Sequence, residues 1–206
     1  MADRNAAAEG SEKSCRAHSC AGGPLPQRGT ILAPEFFAAP AARVARGLLG
    51  KALVRRCAGR SRSFMVVETE AYLGEHDLAA HSSRGRTLRT EVMFGPAARF
   101  YVYRIYGLYW MLNVVAGRPG EAAAVLIRGL DGISGPGRVA AALEIDGSFN
   151  GQMAARRSGL WFADVGFLPP AREVHRTPRI GVDYAGPIWA NKKLRFVLAG
   201  ARQRRR

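Results

Sequence analysis

Cysteine is scarce in this 206-residue chain, and Cys15, Cys20 and Cys57 form an odd set with no recurring spacing. That excludes a disulfide framework and a cysteine-based zinc site, so the three read as incidental free thiols. No apolar run approaches the roughly 18 residues a membrane span needs. The first residues lack the apolar stretch of a signal peptide, so an intracellular protein is expected. There is no phosphate-cradling glycine loop and no nucleophilic serine or cysteine motif. His76, His175 and Glu68 lack metal-ligand spacing. The remaining shortage is acid: 16 Asp and Glu stand against 31 Lys and Arg, for a net charge of +15.

That charge belongs mostly to the body of the chain. Residues 1–30 hold Arg4, Lys13, Arg16 and Arg28 against three acids, for +1, and the tail 202–206 adds four arginines. Removing both from +15 leaves +10 on residues 31–201. A polyanion is the natural partner, with nucleic acid ahead of a membrane because no basic amphipathic helix is evident. With 48 % hydrophobic residues the bulk is globular, and the length suits one full-sized domain.

Residues 1–30 show no periodic apolar pattern and read as a disordered extension. The domain is expected over 31–201, with 202–206 as a basic tail. Ala38–Leu53 carries helical spacing at Ala41, Val44, Leu48 and Leu49, with a stop expected at Gly50. Ser63–Tyr72 alternates and reads as a strand. Residues 74–98 read as loop, punctuated by Gly74, Gly85, Gly95 and Pro96. Phe100–Tyr103 and Leu108–Val115 form a predicted hairpin across Arg104-Ile105-Tyr106-Gly107. Ala122–Leu130 is a further strand and Arg138–Glu144 a short helix. Residues 146–190 look irregular, and Leu194–Leu198 closes the pattern as a strand. The fold class is α+β: a single mixed domain around a curved, mainly antiparallel β-sheet with a protruding β-hairpin.

Two runs carry the chemistry. The first is Val67-Glu68-Thr69-Glu70-Ala71-Tyr72, followed by Ala79-Ala80-His81-Ser82. In a regular strand Glu68, Glu70 and Tyr72 share a face with Phe64 and Val66. Carboxylates continuing an apolar face are costly unless that face opens into a site, where one can serve as general base toward water. Alternation does not choose between Glu68 and Glu70, and a salt-bridged pair at a sheet edge is the simpler alternative. The second run is Tyr101-Val102-Tyr103-Arg104-Ile105-Tyr106-Gly107-Leu108-Tyr109-Trp110. An aromatic at a hairpin tip, Tyr106, suits a wedge that fills the hole left by an extruded base. Tyr101, Tyr103, Tyr109 and Trp110 suit either a core or a stacking cage. Arg128 and Asn113 interrupt apolar strands and need polar partners, Arg128 from either Glu68 or Glu70. His81 follows the acidic strand closely, though a lone histidine is commonly structural.

From Leu32 to Gly200 the chain resembles the alkyladenine DNA glycosylases, also called 3-methyladenine or methylpurine DNA glycosylases. The resemblance rests on the two runs above together with Met93-Phe94-Gly95, Asn113, Leu126-Ile127-Arg128, Gly135-Pro136 and Arg179-Ile180-Gly181-Val182, all in one order. It implies that Glu70 activates the water and that Arg128 helps hold water and carboxylate. It implies that Tyr72, His81 and Tyr103 sandwich a flipped purine while main-chain groups near His81 and Ala80 read its edge. Tyr106 would be the wedge, and Asn113 would crowd the place of a guanine 2-amino group. The implied fold is a single mixed domain around a curved antiparallel sheet, without metal or cofactor. Two departures stand out: Pro96-Ala97-Ala98-Arg99-Phe100 replaces a common Gly-His-Leu-like approach to the hairpin, and Leu88 stands where proline is frequent. These touch substrate range or loop geometry rather than the matched catalytic positions.

The implied activity is that of a monofunctional glycosylase of the DNA-3-methyladenine glycosylase II type. It would act as a monomer on double-stranded DNA containing alkylated purines and leave an abasic site. Two other readings keep weight on the residues alone. A non-catalytic nucleic-acid-binding domain would keep Tyr106 and the arginines but tolerate loss of Glu70. A hydrolase of free nucleosides would need neither the +10 nor a wedge.

Overall fold

Ala41, Val44, Ala45 and Leu48 recur at helical spacing, and all four are buried along helix α2 (Ala41–Leu48). Pro40 caps its start, and Gly50, at φ 80°, turns the chain out of it. The helix expected over Ala38–Leu53 is therefore shorter at both ends, and its last residues belong to a strand. The computed structural model describes residues 29–201. Residues 1–28 of the expected extension, with Cys15 and Cys20, lie outside the described residues, as does the tail 202–206. Strand β1 (Thr30–Ile31) opens the described chain one residue before the expected domain boundary, and helix α1 (Pro34–Phe37) follows.

Strands β2 (Ala52–Cys57) and β3 (Arg60–Tyr72) form a hairpin closed by Ala58 and Gly59 at φ 47° and 73°. Both central residues take positive φ, the twist a two-residue hairpin prefers. The hairpin foreseen over the tyrosine run is present as β4 (Phe100–Ile105) and β5 (Tyr109–Ala116), and β6 (Ala123–Leu130) returns beside β5. After β7 (Ile133–Ser134) comes helix α3 (Pro136–Ala142), beginning two residues earlier than expected because Pro136 is well placed in a first turn. The stretch read as irregular holds β8 (Leu160–Asp164), β9 (Val174–Thr177) and helix α4 (Gly186–Ala190), and β10 (Arg195–Leu198) ends the described fold. The ten strands of the described residues make one open sheet of antiparallel pairs, in the order β1-β8-β2-β3-β6-β5-β4, with β7 on β6 and β10 bridging β3 to β9. This is the mixed, antiparallel-sheet fold the sequence implied.

The two faces of the sheet do different work. One face buries Ala71, Phe100, Val102, Leu112, Val114, Val125 and Ile127 against Val44, Ala45 and Leu48 of α2 and Val139, Ala140 and Leu143 of α3. The alternate residues of the same strands look the other way and form the wall of a cavity. In β3 the alternation is broken. Val66 pairs with Leu130, Glu68 with Gly129 and Thr69 with Ile127, so β3 carries an extra residue, a β-bulge, between Val66 and Glu68, and β6 carries one between Gly129 and Ile127 that restores the register. Phe64 and Val66 point into the main core before the bulge, and Ala71 does so after it. Thr69 confirms the switch by donating from Oγ1 to Ala45 O at 2.8 Å on the helix side. Glu70 and Tyr72 therefore do not continue the Phe64–Val66 face, as regular alternation suggested. The break in alternation at the bulge places them on the opposite, cavity face.

Candidate active site

The cavity has a volume of about 360 Å³, within the range of sites for small ligands. Its wall comes from Glu70 and Tyr72 of β3, Tyr101, Tyr103 and Ile105 of β4, Met111 and Asn113 of β5, and Ala124, Leu126 and Arg128 of β6. The loop after β3 adds Ala79, His81, Arg89 and Met93, and the segment before α4 adds Ile180 and Tyr184. The period of two along each strand thus delivers alternate side chains to one recess.

Of the two candidate carboxylates, Glu70 lines the cavity and Glu68 does not. Glu70 is fully buried; its Oε1 accepts from Ile180 N at 2.9 Å and its Oε2 accepts from the Tyr72 hydroxyl at 3.0 Å. Arg128 Nε lies 3.6 Å from Glu70 Oε1 but 2.9 Å from Glu68 Oε1. Arg195 Nε closes on the same Glu68 oxygen at 2.6 Å. Glu68 is therefore held between two guanidiniums, while Glu70 keeps a weaker hold on one. Burial pushes the Glu70 carboxyl above the usual range, opposed by Arg128, the Ile180 N–H and the Tyr72 hydroxyl. Such a carboxylate is a stronger base than an exposed one, and it sits where water could meet a bound substrate.

His81 starts a 3-10 turn (His81–Arg84), and its Nδ1 pairs with the Tyr101 hydroxyl at 3.0 Å. Its ring stands edge-on to Tyr103, with centroids 4.5 Å apart. Burial and the nearby Arg89 and Arg84 push its pKa down to about 4, so the imidazole is neutral near pH 7. Burial also pushes the Tyr72 and Tyr103 phenols up. Asn113 Nδ2 donates to Tyr101 O at 3.1 Å, which fixes the amide against the wall. Ala80 is the one expected base-binding residue that the structure does not bring to the wall. Its N–H donates to Asp77 O, and its carbonyl accepts from Ser83 Oγ and Ser83 N. Its neighbours Ala79 and His81 line the cavity instead.

Tyr106 sits at the hairpin tip and is 86 % exposed. Leu108 N donates to Ile105 O at 3.0 Å, and Tyr106 and Gly107 between them have φ of 50° and 65°. Arg104 braces the turn by donating from Nε to Gly107 O at 2.7 Å and lying over the Trp110 ring. Leu108 and Tyr109 are exposed beside it, so the tip presents an apolar cluster.

Several residues had no assigned role in the sequence reading. Asp77 and Arg179 form a fully buried ion pair, with Arg179 Nη1 to Asp77 Oδ2 at 2.5 Å and Nη2 to Oδ1 at 2.9 Å. Asp77 also accepts from Leu73 N and Ala79 N, and Arg179 donates to Ala71 O. This pair anchors the loop bearing His81 and the segment bearing Ile180, the donor to Glu70. The run Arg179-Ile180-Gly181-Val182 was the available signal, but spacing does not reveal that Asp77, about a hundred residues earlier, is its partner. Arg195 was also missed, because its strand gives no hint of which acid it meets.

The profile of the methylpurine-DNA glycosylase family matches residues 35–133 and 131–202, nearly all of the described chain. A relative from Myxococcus xanthus is 45 % identical over 178 residues, covering 80 % of this chain and 88 % of the relative. One from Legionella pneumophila (strain Paris) is 43 % identical over 170 residues, covering 79 % and 91 %. One from Methanocella arvoryzae is 40 % identical over 176 residues, covering 76 % and 86 %. All three are provisionally named as 3-methyladenine DNA glycosylases. With the antiparallel sheet, the aromatic cavity and these matches together, the chain belongs to the methylpurine-DNA glycosylase family.

Proposed function

We propose that the protein is a monofunctional DNA glycosylase of base excision repair, of the DNA-3-methyladenine glycosylase II type. It acts as a monomer that flips an alkylated purine, such as 3-methyladenine or 7-methylguanine, out of duplex DNA and hydrolyses its N-glycosidic bond. The observation that carries this reading is Glu70, a fully buried carboxylate at the wall of a cavity otherwise rich in aromatic side chains. The basic body binds the phosphates. Tyr106 enters the duplex and fills the vacated space. The base stacks between Tyr72 and the His81–Tyr103 pair, with Asn113 limiting what fits beside it.

Glu70 then takes a proton from water while the water oxygen bonds to C1′. The C1′–N bond breaks, and its electron pair leaves with the purine. Alkylation at N3 or N7 gives the base a positive charge and so makes it a better leaving group. Arg128 steadies the carboxylate, and the Ile180 N–H and Tyr72 hydroxyl orient it. A Schiff base with the sugar would need an amine at C1′, and no lysine is among the lining residues. The product is therefore an abasic site with an intact strand.

The test is release of free base from an alkylated duplex and from the matching free nucleoside. Release from the duplex alone supports the reading. Release from the nucleoside at comparable efficiency points to a nucleoside hydrolase, and binding without release points to a non-catalytic domain.

A further inference from the structure

Both rings proposed to sandwich the base already carry a guanidinium. Arg179 Cζ lies 4.8 Å from the centre of the Tyr72 ring, and Arg89 Cζ lies 5.0 Å from that of Tyr103. The two cations are not equivalent. Arg179 is buried and neutralised by Asp77. Arg89 is exposed at the rim of the cavity, and no carboxylate of the described residues pairs with it. Its charge therefore acts on whatever enters.

We infer that Arg89 is a specificity-determining residue that shifts the binding preference of the cavity away from cationic purines and toward uncharged modified ones. This rests on the proposed base-excision function of the same site. An electron-rich ring attracts a cation through its negative face, by an amount comparable to a surface ion pair. A guanidinium that already engages that ring weakens the attraction. A positively charged base stacked on Tyr103 would also lie within about 10 Å of Arg89, inside one screening length and in a partly dry recess. His81 faces the same recess as a neutral ring and adds no charge of its own. Arg89 therefore opposes positive charge on the base while bond cleavage favours it. The cavity then discriminates less between cationic and neutral lesions than stacking on free tyrosines would.

The test compares Arg89→Gln and Arg89→Lys with the wild type. The substrates are one duplex carrying 7-methylguanine, which is cationic, and one carrying hypoxanthine, which is neutral. Affinities are measured in a Glu70→Gln background so that the base stays in place. Each lesion is compared with itself across variants, so differences in size and edge groups cancel. Arg89→Gln should raise the preference for 7-methylguanine over hypoxanthine about tenfold, the scale of a single cation–π interaction. Arg89→Lys should keep the wild-type ratio. Because Arg89 is exposed, the thermal midpoint should not move. An unchanged ratio, with both affinities falling equally and a shallower salt slope, would overturn the inference and make Arg89 a phosphate contact. If wild type releases neither base and does not distinguish lesion from undamaged duplex, the function itself fails. Release of base with an unchanged ratio sinks only the role of Arg89.

Discussion

Tyr106 holds an uncommon backbone conformation, φ 50°, for a side chain that touches little of its own protein. A non-glycine residue there costs on the order of 1 kcal/mol. Replacing Tyr106 with glycine should therefore leave stability unchanged or slightly raised while impairing excision from duplex DNA. The impairment should be smaller for a lesion in a mismatch, where extrusion already costs less. A fall in melting temperature, or equal impairment on paired and mismatched substrates, would make Tyr106 a packing residue and leave Tyr109 as the next wedge. His81 gives a second residue-level test. Its folded pKa of about 4 lies below the ordinary 6.5, so the folded protein prefers the neutral ring. That preference contributes fully above pH 6.5 and is lost as pH falls toward 4, a difference of about 3 kcal/mol. Denaturant midpoints measured across this window should drop more steeply for wild type than for His81→Gln. Parallel curves would mean that His81 titrates normally.

The bulge in β3 is the element that makes a site out of an ordinary strand. It leaves Phe64 and Val66 in the core and sends Glu70 and Tyr72 to the cavity. It depends on Gly129 opposite. A Cβ there would lie 2.9 Å from Glu68 Cβ and 3.1 Å from Glu68 Oε2. Gly129→Ala should push Glu68 out of line with Arg128 and Arg195, cost about 1–3 kcal/mol as an overpacked core does, and lower the turnover number. Wild-type stability and turnover in this variant would show that the bulge does not need the glycine. The tyrosine hairpin, β6 and α2 were legible because their apolar periods and glycine punctuation are strong local signals. The bulge was not, because the sequence 63–72 still alternates and only pairing with Gly129 reveals the break. Strand β2 has no clear signal: its first two residues, Ala52 and Leu53, fall in the expected helix because Leu48, Leu49 and Leu53 suit either period, and its turn, Ala58-Gly59, lacks the usual Asn or Asp. Strands β8 and β9 sit between irregular segments and gain their identity only from distant partners. The site was legible in its residue types, Glu70, Tyr72, His81, Tyr103, Asn113 and Arg128. Its anchor, Asp77 with Arg179, joins positions about a hundred residues apart and has no local signature.

At the scale of the molecule, charge sets how the protein meets DNA. The excess of +10 on residues 31–201 should make affinity fall steeply with salt, because each neutralised phosphate releases counterion. Removing residues 1–28, which carry only +1, should leave excision and the salt slope close to wild type. The cut belongs before Gly29, since Thr30 pairs with Asp164 in the sheet. A folded truncation that no longer excises base would assign the N-terminal segment a role. The whole arrangement converges on one carboxylate. Burial raises the Glu70 pKa, so the folded state holds its proton more tightly than the unfolded chain, and the stability this contributes is lost as pH rises through the folded value. Ionised Glu70 is thus a cost to folding at neutral pH, which the amide of Gln avoids. The most direct measurement is the single-turnover rate of base release from a 3-methyladenine duplex by wild type and Glu70→Gln, with lesion binding and melting temperature followed in parallel. If Glu70 is the general base, the rate falls about 10²-fold or more, with binding retained and melting temperature equal or higher. Near-normal release by folded Glu70→Gln would contradict that role and pass it to another group.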